Sequence, residues 1–140
     1  MKKHLLLLIS FSSLVLFSCN TRKSEAPSSQ NPLVFHFELD ADGNIKNEEV
    51  KKQLTTLAKK LSHDADRVML TAYSEQTGDK AKNRELAFEM ADAAKKFMSA
   101  YDERAYFNIG VTIKGYDNPV NASNPADIEN RRIEFSYLPQ

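Results

Sequence analysis

The run Ala72-Tyr73-Ser74-Glu75-Gln76-Thr77-Gly78, followed by Asp79 to Ala100, decides how this chain is read. Val68, Leu70 and Ala72 fall on one side of a strand, as alternation requires. A polar turn containing Gly78 then opens a helix carrying Asn83, Leu86, Ala87, Met90, Ala91, Ala94 and Met98. Strand, turn and helix N-terminus in succession make an anion-binding corner, because unpaired helix N–H groups point into the turn. A ligand is expected there.

Working outward, Arg67 to Tyr73 reads as a strand and Asp79 to about Ala100 as a helix. Upstream, Asn47 to Leu61 places Val50, Leu54, Leu57, Ala58 and Leu61 on one stripe, with Glu48 and Glu49 at the start and Lys59 and Lys60 near the end. Before it, Leu33, Phe35, Phe37 and Leu39 alternate with His36 and Glu38, which predicts a strand with one buried face. Downstream, Phe107, Ile109, Val111 and Ile113 predict a third strand, Gly115 to Glu129 a polar loop, and Ile133, Phe135 and Tyr137 one face of a fourth. The order β-α-β-α-β-β, with one polar sheet face, predicts an α+β fold: a two-layer α/β sandwich.

The stretch from Glu38 to Glu49 admits two readings. Glu38, Asp40, Asp42, Asn44 and Glu49, with Gly43 at the sixth position, follow the oxygen-ligand spacing of a calcium loop, although a strand rather than a helix precedes them. The other reading is an Asp-Gly turn, with Asn47 capping the next helix.

Met1-Lys2-Lys3-His4 is a basic start, and Leu5 to Phe17 is an apolar run broken only by serines. It is shorter than the ~20 apolar residues a membrane helix needs, so residues 1–18 read as a signal peptide. Leu16-Phe17-Ser18-Cys19 resembles a bacterial lipobox, which implies that Cys19 carries acyl chains such as palmitate; ordinary secretion with a free thiol is the alternative. Asn20 to Pro32 is a tether rich in Ser, Pro and Asn, so that 19–32 links the anchor to a domain at 33–138. Across 140 residues the basic and acidic side chains balance at 19 each, and removal of residues 1–18 leaves −2, so no basic face marks a nucleic-acid partner. One cysteine excludes an internal disulfide and a multi-cysteine metal site.

Three blocks resemble the OmpA-like C-terminal domain, the peptidoglycan-binding module of outer-membrane proteins and of peptidoglycan-associated lipoprotein. They are Ala72-Tyr73-Ser74-Glu75; Asn83, Leu86, Ala87, Met90 and Ala91; and Glu129-Asn130-Arg131-Arg132-Ile133-Glu134, preceded by Gly115-Tyr116-Asp117-Asn118-Pro119. The resemblance implies an outer-membrane lipoprotein facing the periplasm that tethers the envelope to peptidoglycan by holding the stem peptide. Its ligand positions fall on Ser74, Glu75, Asn83, Leu86 and Met90. In the family an Asp and an Arg grip the charged ends of diaminopimelate, and here those positions are Glu75 and Met90. Met90 has no donor for a carboxylate and also fits the packed stripe. Arg84 or Arg131 is expected to supply a guanidinium instead, or else to be a solvated charge. Loss of the grip would leave a structural or protein-interaction module with an envelope protein as partner. No cofactor is implied apart from the calcium reading. No Ser-His-Asp, Cys-His or helical His/Glu arrangement has workable spacing, so an enzyme is not expected.

Overall fold

The computed structural model describes residues 31–64 and 66–138. The expected signal peptide, Cys19 and most of the tether lie outside the described residues. Four strands, β1 (Leu33–Phe35), β2 (Val68–Tyr73), β3 (Ile109–Gly115) and β4 (Arg132–Tyr137), form one sheet in the order β1-β4-β2-β3. The pairs β1–β4 and β2–β4 are antiparallel, and β2–β3 is parallel. Helices α1 (Glu48–Asp64) and α2 (Lys80–Tyr101) cover one face. The expected two-layer sandwich is therefore the observed one.

The core is built by the stripes the sequence marks. Leu54, Leu57, Ala58 and Leu61 of α1 meet Val68, Leu70, Ala72, Ile133 and Phe135 of the sheet, all buried. Fully burying a Leu, Ile or Val side chain contributes roughly 1.5–3 kcal/mol, so this one interface outweighs any surface pairing in the domain. Phe35 meets Phe135 edge-to-face at 5.7 Å between ring centroids, which ties the short β1 to the centre of the sheet.

Three expectations need correction. The third strand starts at Ile109, because Glu103–Asn108 forms a short helix, α3. Asp102 caps it: its carboxylate accepts from Arg104 N at 2.9 Å, while Asn108 Nδ2 donates to Leu61 O at 3.2 Å and fastens α3 to α1. Phe107 consequently lies on the surface, outside the strand. Helix α1 continues through Asp64, three residues past the expected end at Leu61.

The first strand ends at Phe35, and Leu39 and Ile45 pair in an isolated antiparallel bridge. The residues between them make a tight hairpin. Asp40 Oδ1 accepts from Asp42 N at 2.9 Å and from Asn44 N at 2.8 Å, and Gly43 takes the positive φ of 79° that closes the turn. The backbone N–H of Asn44 is the main reason the Asp40 carboxyl lies below its ordinary value. Glu38 pairs with Lys46, Glu49 accepts from Gln53, and Asn47 Oδ1 caps α1 by accepting from Glu49 N and Val50 N. Among the described residues, no group of three or more His, Cys, Asp or Glu is gathered as a metal ion would require. The backbone here forms the Asp-Gly turn with Asn47 capping the next helix. A calcium titration followed by excess chelator is expected to leave the thermal midpoint unchanged; a rise with calcium would restore the ion-binding reading.

Candidate functional site

The corner lies where β2 runs out. Asn83, one turn into α2, is buried, and its Oδ1 accepts from Thr77 N at 3.0 Å and Gly78 N at 3.2 Å. Asp79 caps the helix by accepting from Lys82 N at 2.9 Å. Asn83 therefore holds the turn at 77–78 with its own side chain, and its acceptor is consumed there.

Gly115 ends β3 at a φ of 64°, and a Cβ on it would come within 3.1 Å of Arg84 Cγ. That glycine lets the end of the sheet approach the first turn of α2. Its carbonyl accepts from Ser74 N at 2.8 Å. Arg84 is exposed and lines a small cleft of about 300 Å³ at the corner itself, with Gln76, Gly78, Asp79, Asn83 and Lys114. Leu86 is half-buried, and Met90 is only 3% exposed within the core cluster. Of the two accounts of Met90, packing is the one observed.

The guanidinium that pairs with Glu75 belongs to Arg131. Its Nε donates to Glu75 Oε2 at 2.7 Å and its Nη2 donates to Glu75 Oε1, a bidentate pair. The Glu75 side chain is 5% exposed and that of Arg131 26%. Burial pushes the Glu75 carboxyl up, but the Arg131 hydrogen bonds, its own backbone N–H and the Arg131 charge together hold it below its ordinary value. The Glu75 carboxylate likewise raises Arg131. Two of the five guanidinium N–H groups are used in this pair.

The next arginine does different work. Arg132 faces the other side of the sheet, its guanidinium 3.8 Å from the Tyr73 ring centroid, with Nε on Glu134 Oε1 at 2.7 Å and Nη2 on Asn118 O at 3.1 Å. Asn130, fully buried, stitches the preceding loop: Nδ2 donates to Asn121 O, Asn124 O and Pro125 O, while Oδ1 accepts from Asn121 N at 2.8 Å. Pro125 O in turn accepts from Gln76 N at 2.9 Å, so the loop is tied to the corner. Sequence reasoning did not assign these roles to Asn130 and Arg132, nor the pairing of Glu75 with Arg131. The signal available was the opposite facing of consecutive strand residues, which sends Arg131 and Arg132 to different sides.

A cleft of about 720 Å³ is lined by Phe37, Glu38, Lys46, Val120, Ile128 and Glu129, the last two shortly before Arg131 in the chain. Glu38, on its wall, raises Arg131 electrostatically, a smaller effect than that of Glu75. Its volume suits a short peptide or a sugar-peptide fragment. Its walls combine the apolar Phe37, Val120 and Ile128 with Lys46 and the carboxylates Glu38 and Glu129.

This architecture is that of an OmpA-like domain: the chain folds as one. It is similar to the OmpA-like domain of FopA1 from Francisella tularensis, at 22% identity over 75% of this chain and 70% of that one, with a TM-score of 0.62. It is also similar to the peptidoglycan-associated lipoprotein from Burkholderia pseudomallei (18% identity, 84% of this chain and 98% of that one, TM-score 0.59). A third similar structure is the cell wall anchor of the T6SS from Pseudomonas aeruginosa (18%, 78% and 81%, 0.58). No protein-family model matches the sequence, and no curated protein matches it. At these identities the likeness is one of fold.

The ordinary Glu75 value is 4.5 and its folded value is lower, so the pair stabilises fully above about pH 4.5 and loses that contribution as pH falls through the folded value. Urea midpoints measured between about pH 6 and pH 3 should fall more steeply for the native chain than for Glu75→Gln; parallel slopes would show that the pair is not coupled to folding. Ser74 Oγ is buried without a hydrogen-bond partner among the described residues. Ser74→Ala should therefore be neutral or stabilising by up to about 1 kcal/mol in denaturant unfolding, whereas a loss of that size would reveal a partner for the hydroxyl.

Proposed function

We propose that this chain is a non-enzymatic envelope module that docks non-covalently on peptidoglycan through the stem peptide, with Arg131 as the carboxylate-binding group. The observation that carries the reading is the bidentate Glu75–Arg131 pair. Glu75, buried, orients a partly exposed guanidinium, and Ile128 and Glu129 shortly before it in the chain line the larger cleft. A guanidinium held by one carboxylate loses little further freedom on binding a second, so the cost of ordering it is already met in the fold. The role is supplied from the start of β4, since α2 offers only the buried Met90 at the family's arginine position. The names of the similar structures, a peptidoglycan-associated lipoprotein and a cell wall anchor, support the same partner class. With acyl chains on Cys19, the module would be held at the outer membrane with its domain in the periplasm.

A second reading is favoured by the same pair. Glu75 is already neutralised and Met90 is core, so the corner can equally be a structural element of a protein-interaction module with an envelope protein as partner.

Co-sedimentation with purified sacculi separates the two. Docking through Arg131 predicts that the native chain sediments at low salt, that Arg131→Ala weakens it about tenfold, and that Arg131→Lys recovers only part because the fork is lost. No sedimentation of the native chain at low salt sinks the peptidoglycan reading.

A further inference from the structure

The end of the domain opposite the corner carries a surface that peptidoglycan docking does not use. β2 and β3 begin there at Val68 and Ile109, and β4 finishes there at Tyr137. Leu33 pairs with Phe135, so the chain preceding β1 joins the domain at this same end. Helix α2, with 22 residues and therefore about 33 Å long, starts beside the corner at Lys80 and ends at the opposite surface at Tyr101.

That surface is aromatic and basic. Phe107 on α3 is 72% exposed, with Tyr101 and Tyr106 each at 49%. Tyr106 and Phe107 meet edge-to-face at 5.6 Å, Lys95 Nζ sits 4.0 Å from the Tyr106 ring centroid, and Lys59 Nζ 5.4 Å from that of Tyr101. Rings with a polar tip, beside amines on long apolar stems and one protruding phenylalanine, are the combination that sits at the headgroup level of a bilayer.

We propose that this end of the domain rests on a phospholipid bilayer, with Phe107 at the boundary of headgroups and acyl chains and Tyr101 and Tyr106 at headgroup level. The inference rests on lipid anchorage at Cys19. Asn20 to Pro32 can reach about 45 Å at most and joins the domain at the aromatic end, so an anchored domain is confined within that distance of the membrane. Confinement makes the contact effectively intramolecular, and a patch too weak to recruit a free protein then suffices. The result is an orientation: the Glu75–Arg131 corner faces away from the bilayer.

The chain contains no tryptophan, so one introduced residue reports alone. Lipidated full-length protein carrying Phe107→Trp is reconstituted in phosphatidylethanolamine–phosphatidylglycerol vesicles with nitroxide-labelled lipids. Lys80→Trp at the far end of α2 serves as the comparison, and Tyr106→Trp as a second probe of the patch. Quenching of the Phe107 and Tyr106 probes is expected to exceed that of the Lys80 probe by at least about twofold, as insertion to headgroup depth requires. Equal quenching at both ends overturns the inference. A Phe107 probe that shifts to the blue with protein density but is not quenched also overturns it, because a second copy then covers the patch. Vesicle flotation keeps the premises apart: protein that floats without quenching at Phe107 refutes bilayer contact and leaves anchorage standing, whereas protein that does not float refutes both.

Discussion

A carboxylate buried at the end of a sheet must find a cation, and that requirement organises one whole end of this domain. Glu75 leaves β2 where the ladder to β3 has just ended, and it is almost out of contact with water. Left alone it would protonate or cost several kcal/mol. Arg131 answers it, which fixes the start of β4; the neighbouring Asn130 then fixes the loop before it by filling its amide with four backbone partners. Buried pairs of this kind contribute little net stability compared with apolar replacements. What the pair does is define where one guanidinium edge points.

Helix α2 serves both the core and the corner, and the two duties constrain each other. Its buried face holds Ala87, Met90, Ala91, Ala94 and Met98, mostly small side chains that let the helix lie close to the sheet. A charged residue at position 90 would have to leave that face or bury its charge among them. With Met90 in the core, a cation for the corner has to come from another element, and the strand opposite β2 is the nearest backbone. Glu75 is one methylene longer than aspartate, which gives it the reach to meet a group arriving from β4.

Most of the architecture is legible in the sequence because the helices and central strands carry long, regular apolar patterns. Val50 to Leu61 and Asn83 to Met98 could only be amphipathic helices, and Ile133, Phe135 and Tyr137 only a strand face. What was not legible was short. The alternation from Phe107 to Ile113 hides a one-and-a-half-turn helix, because two residues of a period-2 match cost nothing to coincidence, while Asp102 was the true signal, a helix cap. The calcium spacing at Glu38 to Glu49 arises because acidic turns and calcium loops draw on the same residues, and the Leu39–Ile45 bridge, a pairing of the backbone, is not visible in that spacing. At the site, Glu75 and Arg131 could each be named as candidates, but their partnership spans 56 residues and depends on strand order, which no local pattern encodes.

The sheet order also gives the domain a direction. Because β1 runs parallel to β2, the chain enters at the end where β2 begins, and the corner forms where β2 stops. Entry and corner are thereby separated by the length of the central strands, whatever the loops do. The polar groups sort the same way: Glu75, Asn130 and Asn83 are buried and Arg131 half-buried at one end, whereas Tyr101, Tyr106 and Phe107 stand exposed at the other. A tether attached at the aromatic end pulls on the termini of strands that are paired along their whole length, and load applied there is shared across the β1–β4–β2 ladder before it reaches the corner. In the proposed tethering role, attachment and grip would lie at opposite ends of one hydrogen-bonded sheet.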